Sequence, residues 1–303
     1  MDCKPLVTIG ITSYNYELFI EAALNSVLDQ TYKNIEIIII DDYSQDSCPA
    51  LINHWIEQNC IKCIYIQHQI NLGITKTLNE IVNLANGKYI TFLATDDIML
   101  PERVEKQVAE LEDAGNEFGM CYANALTIDE EGNDMGYYSK NSVFDDGFIL
   151  EKFLTKEIYF ATPVMMLRTS VFSKVGMFDT RVLIEDYNFF VRLMAVYKVK
   201  YCTYPCVIYR QKIKIKSTIH ELVASNNSEL FYRDRIISNY EALKFITSKT
   251  VKQIFKNKIN KALRNLAYNN SQYYYKMLFF LLTNFYFHIP VRTVFSKLKH
   301  HIK

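Results

Sequence analysis

Two pairs of adjacent acids, Asp41-Asp42 and Asp96-Asp97, each close an apolar run, Ile35–Ile40 in the first case and Lys88–Ala94 in the second. Carboxylate oxygens are hard ligands of Mg²⁺ or Mn²⁺, ions that keep several waters and take phosphate oxygens as further ligands. A cation held this way offsets the charge that develops on a leaving diphosphate. A third polar cluster, Thr12-Ser13-Tyr14-Asn15, ends the apolar run that begins at Val7. A milder chemistry also suits the acids. Asp-Asp shortly before Pro101 is a good helix start, because carboxylates near a helix N-terminus meet its unpaired N–H groups. The dipeptide alone does not choose between ligand and cap.

What must position these residues is an alternation of strands and helices. Val7–Ile11 reads as a strand, and Phe19, Ala22, Ala23 and Val27 recur at helical spacing up to Asp29. Ile35–Ile40 is almost wholly apolar, as in a strand covered on both faces. A helix near 50–58, a strand over Ile61–Gln67, a helix over Thr75–Ala85 and a strand over Lys88–Ala94 follow. Asn86-Gly87 is placed as the cap of the third helix, and Pro101 opens a fourth that runs to about Asp113. Short connections between alternating strands and helices imply parallel pairing with right-handed crossovers. In such a sheet ligands bind at the carboxyl ends of the strands, where all three polar clusters fall. Neither GxGxxG nor GxxxxGK[ST] is present, so a dinucleotide fold and a P-loop are both unsupported. Beyond Gly119 the pattern loosens. Strands are expected at Met120–Ala125, Phe160–Leu167 and Lys200–Tyr209, with a hairpin turn at Asp129–Asn133 and an amphipathic helix over Glu185–Tyr197. After Ser217 the chain reads as helical.

The 303 residues exceed the usual range of roughly 100–200 per domain and suit one large α/β unit with an appendage. Apolar residues at 50% and charged residues at 22% fit a chain that buries a core, and nine Gly with six Pro are too few for a linker-rich or disordered one. The net charge of +1 excludes a strongly basic nucleic-acid binder but conceals an asymmetry. From Glu241 onward twelve Lys and Arg face that single acid, a net +11, which leaves −10 on residues 1–240. Seven Cys, with no charged segment or cleavage site ahead of the first strand, point to free thiols in a reducing cytoplasm. Cys60-Ile-Lys-Cys63 has metal-ligand spacing but no second such pair, and reads better as two small thiols. The apolar stretch Met277–Phe287 contains Thr283 and Asn284 and is 11 residues long, where a membrane span needs about 20.

The order of the segments carries more than any one of them. Val7-Thr-Ile-Gly-Ile-Thr-Ser-Tyr-Asn15, Ser26-Val-Leu-Asp-Gln-Thr-Tyr32, Ile40-Asp-Asp-Tyr-Ser44 with Asp46, Asn71-Leu-Gly73 with Asn79, and Gly87-Lys-Tyr-Ile-Thr-Phe-Leu-Ala-Thr-Asp-Asp97 occur in succession. With Gly176-Met-Phe-Asp179 and Glu185-Asp-Tyr-Asn-Phe-Phe-Val-Arg192, this series resembles the family-2 glycosyltransferases of the GT-A fold, over about Pro5 to Arg210. The resemblance implies an α/β fold: a GT-A, Rossmann-like mixed sheet flanked by helices, to which the helical pattern after Ser217 adds a C-terminal helical extension. It implies a GT-A domain over 1–216, with a nucleotide-binding half at 1–115 and an acceptor-side half at 116–216; the basic, aromatic-rich extension covers 217–303. It implies that Thr12 and Tyr14 line the base pocket, that Asp41 meets the base, and that Lys76 approaches the nucleotide. Asp96 would face the ribose or the ion, Asp97 would ligate Mg²⁺ or Mn²⁺, and Asp186 would be the general base that takes the acceptor's proton. The corresponding structural roles are a covering aromatic for Tyr14, a turn former for Asp41 and a helix N-terminus for Glu185-Asp186.

Two departures stand out. The metal motif is often Asp-x-Asp, and Ala94-Thr95-Asp96 lacks the first acid; Tyr209-Arg210-Gln211-Lys212 puts Lys where many relatives carry a His. The expected activity is inverting transfer from a nucleotide-diphosphate sugar, a UDP-sugar being favoured, to a hydroxyl of a glycan or lipid-linked glycan. Abundant Ile, Lys, Asn and Tyr point to an AT-rich microbial genome and hence to surface polysaccharide synthesis. A catalytically silent GT-A partner in an assembly complex is the competing class, and a sugar nucleotidyltransferase is disfavoured by the lack of a Gly-rich, Lys/Arg-bearing loop after the first strand. The tail's Tyr273–Tyr275, Phe279, Phe280 and Phe285–Phe287 among Lys and Arg suit peripheral contact with anionic lipid at the inner face of the cell membrane. Packing on protein, including a homo-oligomer, is the alternative reading of that tail, and nucleic acid fits it poorly.

Overall fold

A computed structural model describes residues 4–211, 228–268 and 271–284 of the chain. It divides into two compact units, residues 1–178 with 197–214 and residues 179–196 with 215–303.

The first unit opens with β1 (Val7–Ser13), α1 (Ile20–Leu28), β2 (Ile35–Asp41), α2 (Cys48–Asn59), β3 (Ile64–Gln67), α3 (Ile74–Leu84) and β4 (Tyr89–Ala94). The physical reasons are those legible in the chain. Ile20, Ala23, Leu24 and Val27 put one buried stripe on α1, and Ile37–Ile40 are all buried, because β2 is an interior strand. Then come β5 (Ile98–Met99), α4 (Arg103–Ala114), β6 (Phe118–Tyr122), β7 (Leu126–Ile128), β8 (Asp134–Tyr137), α5 (Leu150–Thr155), β9 (Met166–Arg168), α6 (Val171–Val175), β10 (Lys198–Tyr201) and β11 (Val207–Arg210).

Seven strands form a mixed sheet in the order β10-β6-β9-β4-β1-β2-β3, in which β4, β1, β2 and β3 run parallel and β9 runs antiparallel to both neighbours. A second sheet, β5-β11-β7-β8, stands at the carboxyl end of β4. The mixed sheet flanked by helices is the expected architecture.

Several details depart from expectation. The run Phe160–Leu167 is a strand only from Met166, since Pro163 lacks an N–H and instead sits in a 3₁₀ turn over Thr162–Val164. Lys200–Tyr209 is two strands in two sheets, split at Pro205. Gly87 is not a left-handed helix cap. α3 ends in the extended residue Ala85, and the N–H groups of Asn86 and Gly87 go to the Glu36 carboxylate. Gly87 is glycine because the backbone closes in: a Cβ there would lie 2.6 Å from the Thr8 nitrogen and 2.5 Å from the Tyr89 oxygen.

The second unit holds α7 (Glu185–Met194) and helices over Ser228–Leu243, Lys249–Tyr268 and Tyr273–Thr283. Val182, Ile236, Ile259, Leu263, Tyr274 and Leu281 share its core. Residues 179–196 therefore group with the later helices rather than with the 1–216 segment in which the sequence reading put them. Polar ties accompany this packing: Leu183 N–H to Asp234 at 2.6 Å, Arg181 to Glu241 at 3.0 Å, and the Tyr187 hydroxyl to Asn239 at 3.1 Å. The six described cysteines are all free thiols.

Candidate active site

Because β4, β1 and β2 are adjacent and parallel, their carboxyl ends share one edge. Thr12 pairs with Ala94 on one side and Ile40 on the other, and Ser13 pairs with Asp41. The fold thus brings Thr12, Tyr14, Asp41, Asp96 and Asp97 together, as expected.

Asp41 is fully buried, and both its oxygens accept from Ser44: the backbone N–H at 2.8 Å and the hydroxyl at 2.6 Å. This is the turn-forming role. A carboxylate has about four lone-pair sites, so two remain. The Ser44 hydroxyl also accepts the Asn15 N–H at 2.9 Å, which knits the loops after β1 and β2. Around this knot the hydroxyls of Ser13 and Tyr65 are buried without a hydrogen-bond partner among the described residues. Burial, with the Asp41 charge next, pushes the Tyr65 phenol up to about 12. Tyr14, by contrast, is half-exposed at the edge.

Asp42, the second member of the pair, had no role assigned from sequence. It accepts Leu72 N–H at 2.7 Å and Gly73 N–H at 2.8 Å, fixing the loop that enters α3. Its Oδ1 also lies 2.8 Å from His68 Nδ1, while His68 Nε2 lies 3.0 Å from Glu80. Burial alone would lower the His68 pKa, but the two carboxylates outweigh it and hold it above the ordinary value. The 30-residue separation between Asp42 and this loop hid the link. Lys76 is exposed in the first turn of α3, so its placement depends on the loop that Asp42 ties.

Asp96 and Asp97 occupy the turn between β4 and β5, closed by Asp97 N–H to Ala94 carbonyl at 3.1 Å. Asp97 is buried; burial, reinforced by the Asp96 charge, pushes its carboxyl well above the usual range, against the pull of Arg210 and Arg103. Burial raises Asp96 as well. Arg210, at the end of β11, is the residue that sequence reasoning passed over. Its backbone N–H donates to Asp97 Oδ1 at 3.0 Å, and its guanidinium donates to the carbonyls of Asp96 at 3.3 Å and Asp129 at 3.1 Å. The guanidinium carbon also stands 4.3 Å from the Phe19 ring centre. The Tyr-Arg pair was a visible signal; its partner in the acid turn, 113 positions away, was not. Lys212 lies outside the described residues.

Among the described residues no three or more His, Cys, Asp or Glu side chains converge on one metal position. Two adjacent carboxylates, Asp97 buried and Asp96 half-buried, are instead a donor set for a hard cation whose remaining ligands are phosphate oxygens and water. Ionising both without a cation is costly at this depth, so the acid pair fits a divalent ion that arrives with a diphosphate.

Asp186 stands in the second unit, in the first turn of α7. Burial, followed by the Asp186 charge, pushes its neighbour Glu185 up to about 8, and the Glu185 Oε2 is buried without a partner among the described residues. Burial and the neighbouring charge thus favour the protonated form of Glu185.

Comparison with known proteins accords with this arrangement. An uncharacterized glycosyltransferase of Methanocaldococcus jannaschii is 27% identical over 99% of this chain and 94% of its own length. Another, of Haemophilus influenzae, is 25% identical over 88% of this chain and 86% of that protein. Among solved structures, S. aureus TarS residues 1–349 in complex with UDP-GlcNAc superposes with a TM-score of 0.69 at 16% identity, covering 95% of this chain and 82% of that one. The mannosyltransferase PcManGT of Pyrobaculum calidifontis, in complex with GDP-Man and Mn²⁺, gives 0.56 at 14% identity over 97% and 84%. At such identities the structural likeness speaks for the fold, which is the GT-A arrangement. Residues 8–176, more than half of the chain, match the family described as Glycosyl transferase family 2. With that match and the acid-lined strand edge together, the chain belongs to glycosyl transferase family 2 and is a glycosyltransferase.

Proposed function

We propose that this enzyme moves a sugar, with inversion, from a UDP-sugar to a hydroxyl of a glycan or lipid-linked glycan in bacterial surface polysaccharide synthesis. The observation that carries the donor side is the Asp96-Asp97 pair at the carboxyl end of β4, Asp97 buried and Asp96 half-buried beside it. Mg²⁺ or Mn²⁺ bound there with the donor diphosphate would supply charge neutralisation for the leaving group. Asp97 ligates the ion, with Asp96 beside it or toward the ribose. Thr12 lines the base pocket and Tyr14 stacks on the base. Asp41 takes the uracil imide N–H on the lone pairs that Ser44 leaves, and Lys76 reaches toward the nucleotide. The solved relatives that hold UDP-GlcNAc, or GDP-Man with Mn²⁺, support a nucleotide-sugar donor.

Asp186 accepts the proton of the acceptor hydroxyl. Glu185, which burial and the Asp186 charge push toward its protonated form, is the poorer proton acceptor of the pair, and this supports Asp186 as the base. The donor side is tested by Asp97→Asn: metal-dependent nucleotide binding, read by calorimetry, should be lost while the fold survives. Retained metal-dependent affinity in a folded Asp97→Asn protein would make this acid structural. A second reading, a catalytically silent nucleotide-binding partner, has the missing acid at Ala94 in its favour. Slow hydrolysis of a nucleotide sugar by the protein alone would exclude it.

We also propose that the enzyme works at the inner face of the membrane by peripheral contact. No helix among the described residues is long and apolar enough to cross a membrane. The helix Tyr273–Thr283 buries Tyr274, Met277 and Leu281 in its own unit but leaves Tyr275, Phe279 and Leu282 exposed along one side, with Lys276 nearby. Phe285–Phe287, Arg292, Lys297 and Lys299 lie outside the described residues. Each basic residue near an anionic surface contributes about 1 kcal/mol, screened beyond about 8–10 Å at ordinary salt. Full-length protein should therefore co-sediment with anionic vesicles at low salt and leave them as salt rises, and Phe279→Ser should weaken retention. Indifference to anionic vesicles at low salt refutes this contact.

A further inference from the structure

Four residues other than glycine have a left-handed backbone in the described chain: Asn15, Tyr43, Cys60 and Lys156. Three have local explanations. Cys60 and Lys156 follow the last residues of α2 and α5, where a left-handed residue commonly ends a helix. Asn15 is a type that tolerates this conformation, and its side-chain oxygen accepts the Gln45 N–H at 2.8 Å. Tyr43, at φ +69°, has neither excuse. An aromatic side chain there costs free energy, and the surroundings enforce the cost: Asp42 N–H binds the Ser13 carbonyl at 2.9 Å, and both Asp41 oxygens hold Ser44. A turn fixed on both sides, with a strained residue between, is the usual signature of a functional constraint.

The ring is also where a ligand would be. Tyr43 lies two positions past Asp41, and Tyr14 lies one past Ser13, the strand partner of Asp41. Adjacent strands stand about 4.8 Å apart, so the two side chains leave neighbouring points of one edge. Tyr43 is 41% exposed and Tyr14 45%. Among the described residues neither ring stacks on another and neither hydroxyl is hydrogen-bonded. Two exposed rings flank the Asp41 knot, and one is held in place at the expense of backbone strain.

We infer that Tyr43 is a second donor-contacting aromatic, which stacks on the nucleobase from the β2 side as Tyr14 does from the β1 side. This rests on the donor reading above. Stacking on an aromatic side chain depends on the ring face and tolerates any base, so the contact raises affinity without selecting uracil.

The test compares wild type, Tyr43→Gly and Tyr43→Phe in the full-length chain, with UDP and GDP as probes in the presence of Mg²⁺. Loss of a base–aromatic stack corresponds to roughly 5- to 150-fold in Kd. Tyr43→Gly should therefore weaken both nucleotides by that factor, while its ligand-free melting temperature stays level or rises by a few degrees as strain is released. Tyr43→Phe should bind within about threefold of wild type, since it keeps the ring face. Unchanged nucleotide affinity in Tyr43→Gly overturns the inference, as does a lowered melting temperature, which would mean that the ring packs for the fold. Equal loss in Tyr43→Phe overturns it too, because the hydroxyl would then carry the contact. If wild type binds neither nucleotide, the donor reading itself fails and takes this inference with it.

Discussion

Removing the Asp42 carboxylate should loosen the donor edge from beneath, and the size of the effect can be worked from its partners. Asp42 is nearly buried and accepts two main-chain N–H groups, Leu72 and Gly73, as well as His68 Nδ1. Hydrogen bonds to a charged group contribute about 1.5–3 kcal/mol each. In Asp42→Ala the loop can open and let water reach its N–H groups, so the sum is discounted to about 3–5 kcal/mol. For a domain of about 150–250 residues each kcal/mol moves the midpoint about 2–4 °C, so the first unfolding transition should fall by about 6–20 °C. The pH dependence supplies a sign. His68 has a folded pKa above its unfolded value near 6.5. Its contribution is therefore complete below about pH 6.5 and fades as pH rises through the folded value. The gap between wild type and Asp42→Ala should be widest near pH 6 and should narrow as pH rises through the folded His68 value, beyond which the two backbone N–H bonds sustain what remains. Urea unfolding at several pH values reads this directly. A cost below about 1 kcal/mol, or a gap that widens with pH, would refute the account of Asp42 as the tie between β2 and the α3 loop.

Other expectations follow from single contacts. Gly87→Ala must push a methyl into main-chain atoms of Thr8 and Tyr89 that cannot rotate away, so it should cost about 1–3 kcal/mol in denaturant unfolding; a neutral result would mean that the β1–β4 edge is looser than it stands. Asp186→Asn should lower turnover about 10²-fold or more with donor affinity nearly unchanged, whereas normal turnover in it beside a dead Glu185→Gln would reverse the assignment within the pair.

Local patterns along the chain were enough for the elements of the sheet's first half. Ile35–Ile40 could only be an interior strand, and the apolar spacing of α1 and α3 left one face each to bury. Those periodicities depend on neighbours within a few residues, which a sequence displays, and the topological rule that ligands meet the carboxyl ends of parallel strands then placed Tyr14, Asp41 and Asp96-Asp97 on one edge. What tertiary structure alone decided involves partners far apart in the chain. Asp41 became a buried turn holder and Asp42 a tie to a loop 30 residues on, although the two acids are adjacent and chemically alike. Arg210 reached the acid turn because β11 pairs with β5, a pairing that no local pattern announced. The Phe160–Leu167 run lost half its strand to a proline, and α7 joined the later helices because its packing partners lie some 50 residues away. Side-chain type states what a residue can do; which of its atoms are left free to do it depends on long-range pairing, and that is settled only when the chain has folded.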